Sequence, residues 1–175
     1  MNGLEMFSLK GKTALVTGAA GNVGRQISRA LAQAEARTFI AGRSLEKLEA
    51  EASALRNQGY DVTALSYDQT REDSMRALLN EVLGRIERIN VLVNNAVERP
   101  MKDWTSPVQD FAKSMEANAT GVFLMIRTFG EAMAAQGSGS IINIGSIQGT
   151  VGPDFTLYEG LNWAPRPITF STRAG

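Results

Sequence analysis

The sequence predicts an α/β fold in which a parallel sheet is covered by helices on both faces. The first observation is that short, β-branched apolar runs alternate with longer segments in which apolar residues recur every three or four positions. The second is that the runs are apolar at successive positions, as strands buried on both faces require. Strands that alternate with helices pair in parallel, so the chain is predicted to be doubly wound.

The predicted elements follow one another from position 13 to position 144 without a repeat or a linker. Strands are predicted at 13–17, 37–41, 61–66, 89–93 and 140–144, and helices at 23–34, 45–55, 75–86 and 108–134. Glycine-containing segments end the second and the last of these helices. Right-handed crossovers between the parallel strands give a Rossmann-type sheet with the order 3-2-1-4-5.

The composition limits the chemistry. The 175 residues suit one domain with a sizeable core, and 18 basic residues balance 18 acidic ones, so no nucleic-acid or membrane partner is indicated. Neither a signal peptide nor a long apolar run is recognisable, and a cytoplasmic protein is expected. The absence of cysteine and histidine excludes disulfides, thiolate or imidazole metal sites and Ser-His-Asp catalysis, and we predict no metal site.

A glycine-rich turn lies between the first strand and the first helix. Gly18, Gly21 and Gly24 follow the strand at three-residue spacing. Glycine lets the backbone turn sharply and approach a phosphate closely, and the free N–H groups of the first helical turn point toward such an anion. An ordinary glycine-rich loop is the alternative. The position of the three glycines between a buried strand and an amphipathic helix favours a dinucleotide-binding turn.

This turn resembles a known family motif. The segment Thr17-Gly18-(x3)-Asn22-x-Gly24 is similar to the Thr-Gly-x3-Gly-x-Gly motif of the short-chain dehydrogenase/reductases, with asparagine at the position of the middle glycine. Asparagine tolerates left-handed backbone angles best among the other residues, so we expect the turn to survive. The resemblance implies NAD(P)-dependent hydride transfer to or from a carbonyl or secondary alcohol carbon. The cofactor-binding residues that it implies here are Thr17, Gly18, Gly21, Asn22, Val23 and Gly24.

The end of the second strand bears on the choice of cofactor. An acidic residue at this point would bind the adenosine ribose and repel a 2′-phosphate. The chain has Arg43 and Ser44 instead, whose guanidinium and hydroxyl groups suit a phosphate. The alternative is that Arg43 is a solvated residue at a helix start. We predict NADP as the cofactor, with NAD possible.

Two further segments resemble cofactor-contacting segments of the family. Asp68 and Gln69 follow the third strand, and the resemblance implies that Asp68 contacts the adenine; a helix cap or loop carboxylate is the alternative. The segment 91–97 is similar to the family's Asn-Asn-Ala-Gly signature, which implies that Asn95 and Ala96 line the cofactor cleft. Plain turn formation is the alternative there. Val97 replaces the usual glycine and would cost about 1 kcal/mol if its φ were positive.

Asn118 and Ser146 are the candidate catalytic residues. By resemblance, Asn118 holds a water that connects a catalytic lysine with solvent, whereas an exposed or backbone-bonded helical amide is the alternative. Ser146 follows the fifth strand, at the sheet edge where ligands bind in such folds. The resemblance implies that it polarises the substrate carbonyl. A serine in a turn is the alternative at that position.

The family's Tyr-x-x-x-Lys pair is absent from this sequence. Tyr158 lies 12 residues after Ser146, but Asn162 stands where the lysine belongs. An amide cannot supply the positive charge that lowers the tyrosine pKa, so we predict no turnover by this chain. A non-catalytic dinucleotide-binding remnant and a non-functional truncated product are the alternatives.

The last residues differ in character from the rest. Residues 165–175 have no amphipathic period. Residues 168–175 can be encoded by codons that, translated in the adjacent reading frame, give a peptide containing Tyr-x-x-x-Lys-Gly-Gly. Our hypothesis is a frameshift near 165–168 followed by early termination. We therefore assign residues 1–164 to an incomplete NAD(P)-binding Rossmann domain that lacks the family's C-terminal strands and helices, and 165–175 to an irregular, out-of-frame tail. Full-length relatives of this family form homo-oligomers, which we do not expect of a chain without those elements.

Overall fold

The fold is a five-stranded parallel sheet with helices on both faces. The computed structural model describes residues 5–103, 105–146, 156 and 160. The strands are β1 (Thr13–Thr17), β2 (Arg37–Gly42), β3 (Val62–Ser66), β4 (Val91–Asn94) and β5 (Ser140–Asn143). The helices are α1 (Asn22–Gln33), α2 (Leu45–Arg56), α3 (Glu72–Leu83), α4 (Val108–Met115) and α5 (Gly121–Ala135), with a 3₁₀ turn at Glu5–Phe7. The sheet order is β3-β2-β1-β4-β5, which confirms the predicted fold class and strand order.

Successive side chains of each strand pack alternately into two separate cores, one on each face of the sheet. In β1, Leu15 packs into a cluster with Met75 of α3 and Phe129 of α5. The next residue, Val16, packs into a second cluster with Leu48 and Ala52 of α2. The alternation follows from the two-residue period of a strand. Burial on both faces explains why the strands read as continuous apolar runs.

Several predicted boundaries shift by one to three residues, as in α3, which was predicted at 75–86 and spans Glu72–Leu83. Two differences have a physical reason. The fourth strand was expected from position 89 but begins at Val91, because Asn90 pairs with the first residue of β1 through its side chain as well as its backbone. Ile89 is fully buried without being part of the strand. The single helix predicted at 108–134 is divided into α4 and α5 by a π-helical turn, Glu116–Thr120. Apolar periodicity does not distinguish an inserted π turn from a regular helix.

The backbone angles correct the expectations for Asn22 and Val97, the two residues that stand where the family motifs have glycine. Asn22 was expected to need left-handed tolerance, but it is the first residue of α1, and Gly18 (φ 63°) makes the left-handed turn. Val97 also has no positive φ, so the strain considered for it does not arise. Among the described residues other than glycine, Glu35 alone has a positive φ, 72°, directly after α1.

Some sequence predictions fall outside the described residues. Tyr158, Asn162 and the predicted out-of-frame tail at 165–175 belong to this group. Ser146 is described and lies three residues beyond the end of β5. None of the helices in the described ranges combines the length and the apolar character that a membrane span needs.

Candidate functional site

A cleft of about 550 Å³ lies beyond the carboxyl ends of the central strands. It is lined by the loops after β1, β2, β3 and β4, which is where ligands bind in open parallel sheets. All of the predicted cofactor-binding residues except Thr17 line it. The lining residues that the sequence did not single out are Ala20, Gly42, Leu48, Tyr67, Thr70, Val97, Glu98 and Arg99. Within the described part of the chain, no group of three or more Asp and Glu residues could hold a metal ion.

The glycine turn forms one wall of the cleft, and two of its glycines are required by close contacts. A Cβ atom at Gly18 would lie 2.6 Å from the Cα of Ala96 in the loop after β4. A Cβ at Gly24 would collide with the carbonyl oxygen of Gly18. Gly21 is the N-cap of α1, and no side chain caps that helix. Its first-turn N–H groups are therefore left for a ligand, and the helix dipole favours an anion there.

Thr17 and Asn95 join the glycine turn to the loop after β4. The buried hydroxyl of Thr17 accepts the backbone N–H groups of Asn95 (3.0 Å) and Ala96 (3.1 Å) and donates to the carbonyl of Val93 (3.2 Å). The Asn95 amide donates to the carbonyls of Thr17 (3.0 Å) and Gly18 (3.2 Å). The hydroxyl has no capacity left for a ligand. Thr17 therefore positions the cleft wall and does not face the cleft.

Gln69 connects three loops at the back of the cleft. Its amide nitrogen donates to the carbonyls of Ala117 (2.8 Å) and Ala96 (3.4 Å). Its amide oxygen accepts the hydroxyl of Tyr67 (2.8 Å). Burial raises the pKa of the Tyr67 phenol far above its ordinary value, so this hydroxyl remains protonated and acts as a donor. Both polar ends of Gln69 are thus used within the protein.

Asp68 carries a fixed negative charge at the rim of the cleft. Its carboxylate accepts the backbone N–H (2.9 Å) and the hydroxyl (2.8 Å) of Thr70. These hydrogen bonds lower the pKa of Asp68, and the charges of Arg43 and Arg71 lower it further. The carboxylate is therefore ionised at neutral pH and able to accept hydrogen bonds from a ligand.

Arg43 reaches across the cleft from the end of β2. Its guanidinium forms an ion pair with Glu98 of the loop after β4, at 2.5 Å between Nη2 and Oε1. The Arg43 side chain is 67% exposed and that of Glu98 33% exposed. Ser44, the next residue, is the N-cap of α2, where its hydroxyl accepts the N–H of Lys47 at 3.5 Å.

The two candidate catalytic residues lie apart from this lining. Asn118 is buried in the π turn, where its amide oxygen accepts the N–H of Glu98 and its amide nitrogen donates to the Glu98 carbonyl, both at 2.8 Å. Its side chain thus makes the backbone-bonded arrangement that was the alternative to a catalytic role. Ser146 is partly exposed, beyond the carboxyl end of β5. Neither residue is among those that line the cleft.

Glu98 and Tyr67 are the important lining residues that sequence reasoning missed. Tyr67 is the first residue after β3, and Glu98 follows the Asn-Asn-Ala-Val segment after β4. Their positions at the carboxyl ends of strands were the available signal. The pairing of Glu98 with Arg43 joins residues 55 positions apart in the sequence, so it depends on the fold.

Comparison with known proteins agrees with this geometry. A family model described as "short chain dehydrogenase" matches residues 12–159. The chain belongs to the short-chain dehydrogenase/reductase family. This short-chain dehydrogenase/reductase chain is 36% identical over 151 residues to a galactitol 2-dehydrogenase of Rhizobium johnstonii, an alignment that covers 84% of the chain and 58% of that relative.

Solved structures of the family superpose on the sheet and helices. A short-chain type dehydrogenase/reductase from Mycobacterium marinum matches with a TM-score of 0.87 at 28% identity, over 99% of this chain and 68% of the other. A metagenomic short-chain oxidoreductase in complex with NADP matches with a TM-score of 0.81 at 29% identity, over 95% of this chain and 72% of the other. The chain spans about half to two thirds of the length of the first curated relatives that it matches.

Proposed function

We propose that this chain supplies the NADP-binding part of an oxidoreductase that transfers a hydride to or from a carbonyl or secondary alcohol carbon. The observation that carries the proposal is the cleft itself, which is lined both by an uncapped helix N-terminus after a close-packed glycine turn and by Arg43. We also propose a small-molecule substrate and a cytoplasmic setting.

The residues of the cleft fit a dinucleotide. The first-turn N–H groups of α1 are directed at the position of an anion such as the pyrophosphate. The guanidinium of Arg43 and the hydroxyl of Ser44 lie at the end of β2, where the 2′-phosphate of NADP would be held. Asp68 and the Asn95–Ala96 loop line the remaining side. When bound, the nicotinamide ring would give or accept the hydride.

In this proposal Ser146 binds the substrate oxygen, since a hydroxyl at the carboxyl end of β5 strengthens its hydrogen bond as that oxygen gains negative charge. The side chain of Asn118 acts by positioning, because both ends of its amide hold the backbone of Glu98. A role of Asn118 in holding a water near a lysine remains a prediction from resemblance.

We further propose that the chain of 175 residues binds the cofactor without turning it over. The sequence favours this second candidate, a dinucleotide-binding protein without chemistry, because Asn162 occupies the position at which the family has its lysine. An amide cannot supply the positive charge with which the family's lysine makes a tyrosine an acid–base group near neutrality.

Thermal unfolding with NADP and with NAD tests the binding proposal. A ligand at about 100 times its Kd adds about 2.7 kcal/mol to the free energy of unfolding, so the Tm should rise. Arg43→Gln should reduce the rise with NADP more than that with NAD. Arg29→Gln, which removes the same charge from an exposed position on α1, is the matched control and should leave both unchanged.

An assay for NADPH formation with secondary alcohols tests the chemistry separately. We expect Tm protection without turnover. An unchanged Tm at millimolar NADP and NAD contradicts dinucleotide binding. Turnover at an ordinary enzymatic rate, about 1 s⁻¹ or faster, contradicts the non-catalytic proposal but leaves the hydride-transfer function standing.

A further inference from the structure

Glu98 places a carboxylate where the proposed cofactor's 2′-phosphate would need a cation. Strands β2 and β4 both flank β1, so the loops after them face each other over the glycine turn. Arg43 extends from the first loop and Glu98 from the second, and their ion pair spans the cleft. The guanidinium that suits a phosphate is therefore already paired with an anion of the protein.

The backbone of Glu98 is held in place. Asn118 accepts its N–H and donates to its carbonyl, both at 2.8 Å, and Asn118 is itself buried in the π turn between α4 and α5. Arg43 is twice as exposed as Glu98 and carries the longer side chain. When a phosphate enters, Arg43 is the partner able to turn toward it, whereas the carboxylate stays in the cleft.

Two carboxylates near Arg43 oppose a dianion, and Arg99 is the other cation among the described residues that line the cleft. Asp68 also lines the cleft, within the electrostatic reach of Arg43, and hydrogen bonds from Thr70 stabilise its charged form. The guanidinium is therefore paired with Glu98 and acted on by the charge of Asp68 before any ligand binds. A phosphate carries close to two negative charges at neutral pH, so it meets like-charge repulsion as well as competition for the cation. A ribose hydroxyl at the same place meets neither.

We propose that Glu98 is a specificity-determining residue of the cofactor site: it competes with the 2′-phosphate for Arg43 and so reduces the preference for NADP over NAD. This inference depends on the proposed dinucleotide binding. It is independent of hydride transfer, because the phosphate concerned belongs to the adenosine half of the cofactor.

The test uses the full chain and two fragments of the cofactor, 2′,5′-ADP and 5′-AMP, which differ in the 2′-phosphate alone. Calorimetric titration gives the Kd of each fragment for the natural chain, Glu98→Gln and Glu131→Gln. Glu98→Gln removes the charge but preserves the size of the side chain, and the backbone bonds to Asn118 are unaffected. Glu131 lies exposed on α5 outside the cleft and controls for the change in net charge.

We expect Glu98→Gln to tighten binding of 2′,5′-ADP about three- to tenfold, with less than a twofold change for 5′-AMP. Glu131→Gln should change neither fragment. Equal affinities of the natural chain and Glu98→Gln for 2′,5′-ADP overturn the inference. Weaker binding of 5′-AMP by Glu98→Gln also overturns it, because Glu98 would then be a ribose ligand.

The inference and the proposed function fail differently. If the natural chain binds both fragments and Glu98→Gln leaves their ratio unchanged, the inference alone is wrong. If neither the natural chain nor Glu98→Gln binds either fragment, dinucleotide binding is wrong, and the inference is wrong with it. Circular dichroism of each variant verifies that its helices and sheet are intact before titration.

Discussion

Single amide side chains hold the loops of the cleft in place. Asn95 joins the glycine turn to the end of β4, and Gln69 joins the loop after β3 to the π turn. Asn118 holds the backbone of Glu98. An amide has both a donor and an acceptor, so one side chain can satisfy a loop N–H and a loop carbonyl together. These residues shape the cleft although their amide groups form hydrogen bonds within the protein.

Asn118→Ala should destabilise the fold by about 1–3 kcal/mol, because it leaves the N–H and the carbonyl of Glu98 without their partner. Urea denaturation measures the change in the free energy of unfolding. Asn80→Ala, at an exposed position of α3, is the matched control and should stay within about 0.5 kcal/mol of the natural chain. If the two variants are equally stable, the bonds between Asn118 and Glu98 contribute nothing.

Asp68→Asn should alter the response of stability to acid. The folded-state pKa of Asp68 is lowered, mainly by hydrogen bonds from Thr70. The ionised carboxylate therefore contributes fully to the free energy of unfolding above the ordinary pKa of 3.8. That contribution is lost as pH falls through the lowered folded-state pKa. The stability difference between the natural chain and Asp68→Asn should therefore be largest near pH 7 and shrink below about pH 4. A difference that stays constant from pH 7 to pH 2 in urea titrations contradicts this assignment.

The sequence predicts the residues of the cleft better than it predicts their roles. Strand ends and glycines located Gly18, Arg43 and Asp68 because parallel topology brings every carboxyl end to one edge. The same reasoning could not tell that the Thr17 hydroxyl is used up within the protein. It also missed Glu98, whose importance comes from a partner 55 residues earlier in the chain.

At the scale of helices and strands, apolar periodicity predicts well which segments form strands or helices. It predicts poorly where a helix is interrupted. All five strands of the sheet arise where apolar runs predict them, since burial on both faces leaves a plain signal. The π turn at Glu116–Thr120 had no such signal, because the apolar face continues through it. This turn carries Asn118 and so determines where Glu98 stands. The predicted and observed helices differ at the point that matters for the cleft.

A strained residue lies just beyond the C-terminal end of α1. Glu35 has φ 72° directly after the helix, in the place where glycine is usual, and the N–H of Ala36 bonds back to Leu31 at 3.1 Å. Glu35→Gly should raise the free energy of unfolding by about 0.5–1 kcal/mol, because glycine adopts this angle without a Cβ clash. Loss of the hydrogen bond from the Ser8 hydroxyl to the Glu35 carboxylate offsets part of that gain.

Gly59→Ala is the reciprocal control for Glu35→Gly. Gly59 has φ 91° after α2, and a Cβ atom added there would have no neighbouring atom within 4 Å, so the substitution adds backbone strain without a collision. It should lower the free energy of unfolding by about 1 kcal/mol. Both changes are measured by urea denaturation. The same sign of change in the two variants would contradict an explanation based on the left-handed angle.

At the scale of the whole molecule, several large apolar side chains of α4, α5 and β5 are exposed. Val108 and Phe111 of α4 are 71% and 41% exposed, Phe123 of α5 is 59% exposed, and Ile142 of β5 is 43% exposed. The strands β1 and β2, in contrast, are buried along almost their whole length. Exposed apolar side chains clustered on neighbouring elements favour association between molecules.

The exposed side chains of α4 change the expectation from the sequence that this chain forms no homo-oligomer, and we predict that it self-associates through α4. Val108 and Phe111 are three residues apart and lie on one face of that helix, so together they present a contiguous apolar surface. Sedimentation velocity should show an apparent mass that rises with protein concentration for the natural chain and rises less for the double variant Val108→Ser and Phe111→Ser. Leu45→Ser removes an exposed apolar side chain of α2 and should sediment like the natural chain. If the α4 variant associates as strongly as the natural chain does, the contact lies elsewhere on the molecule.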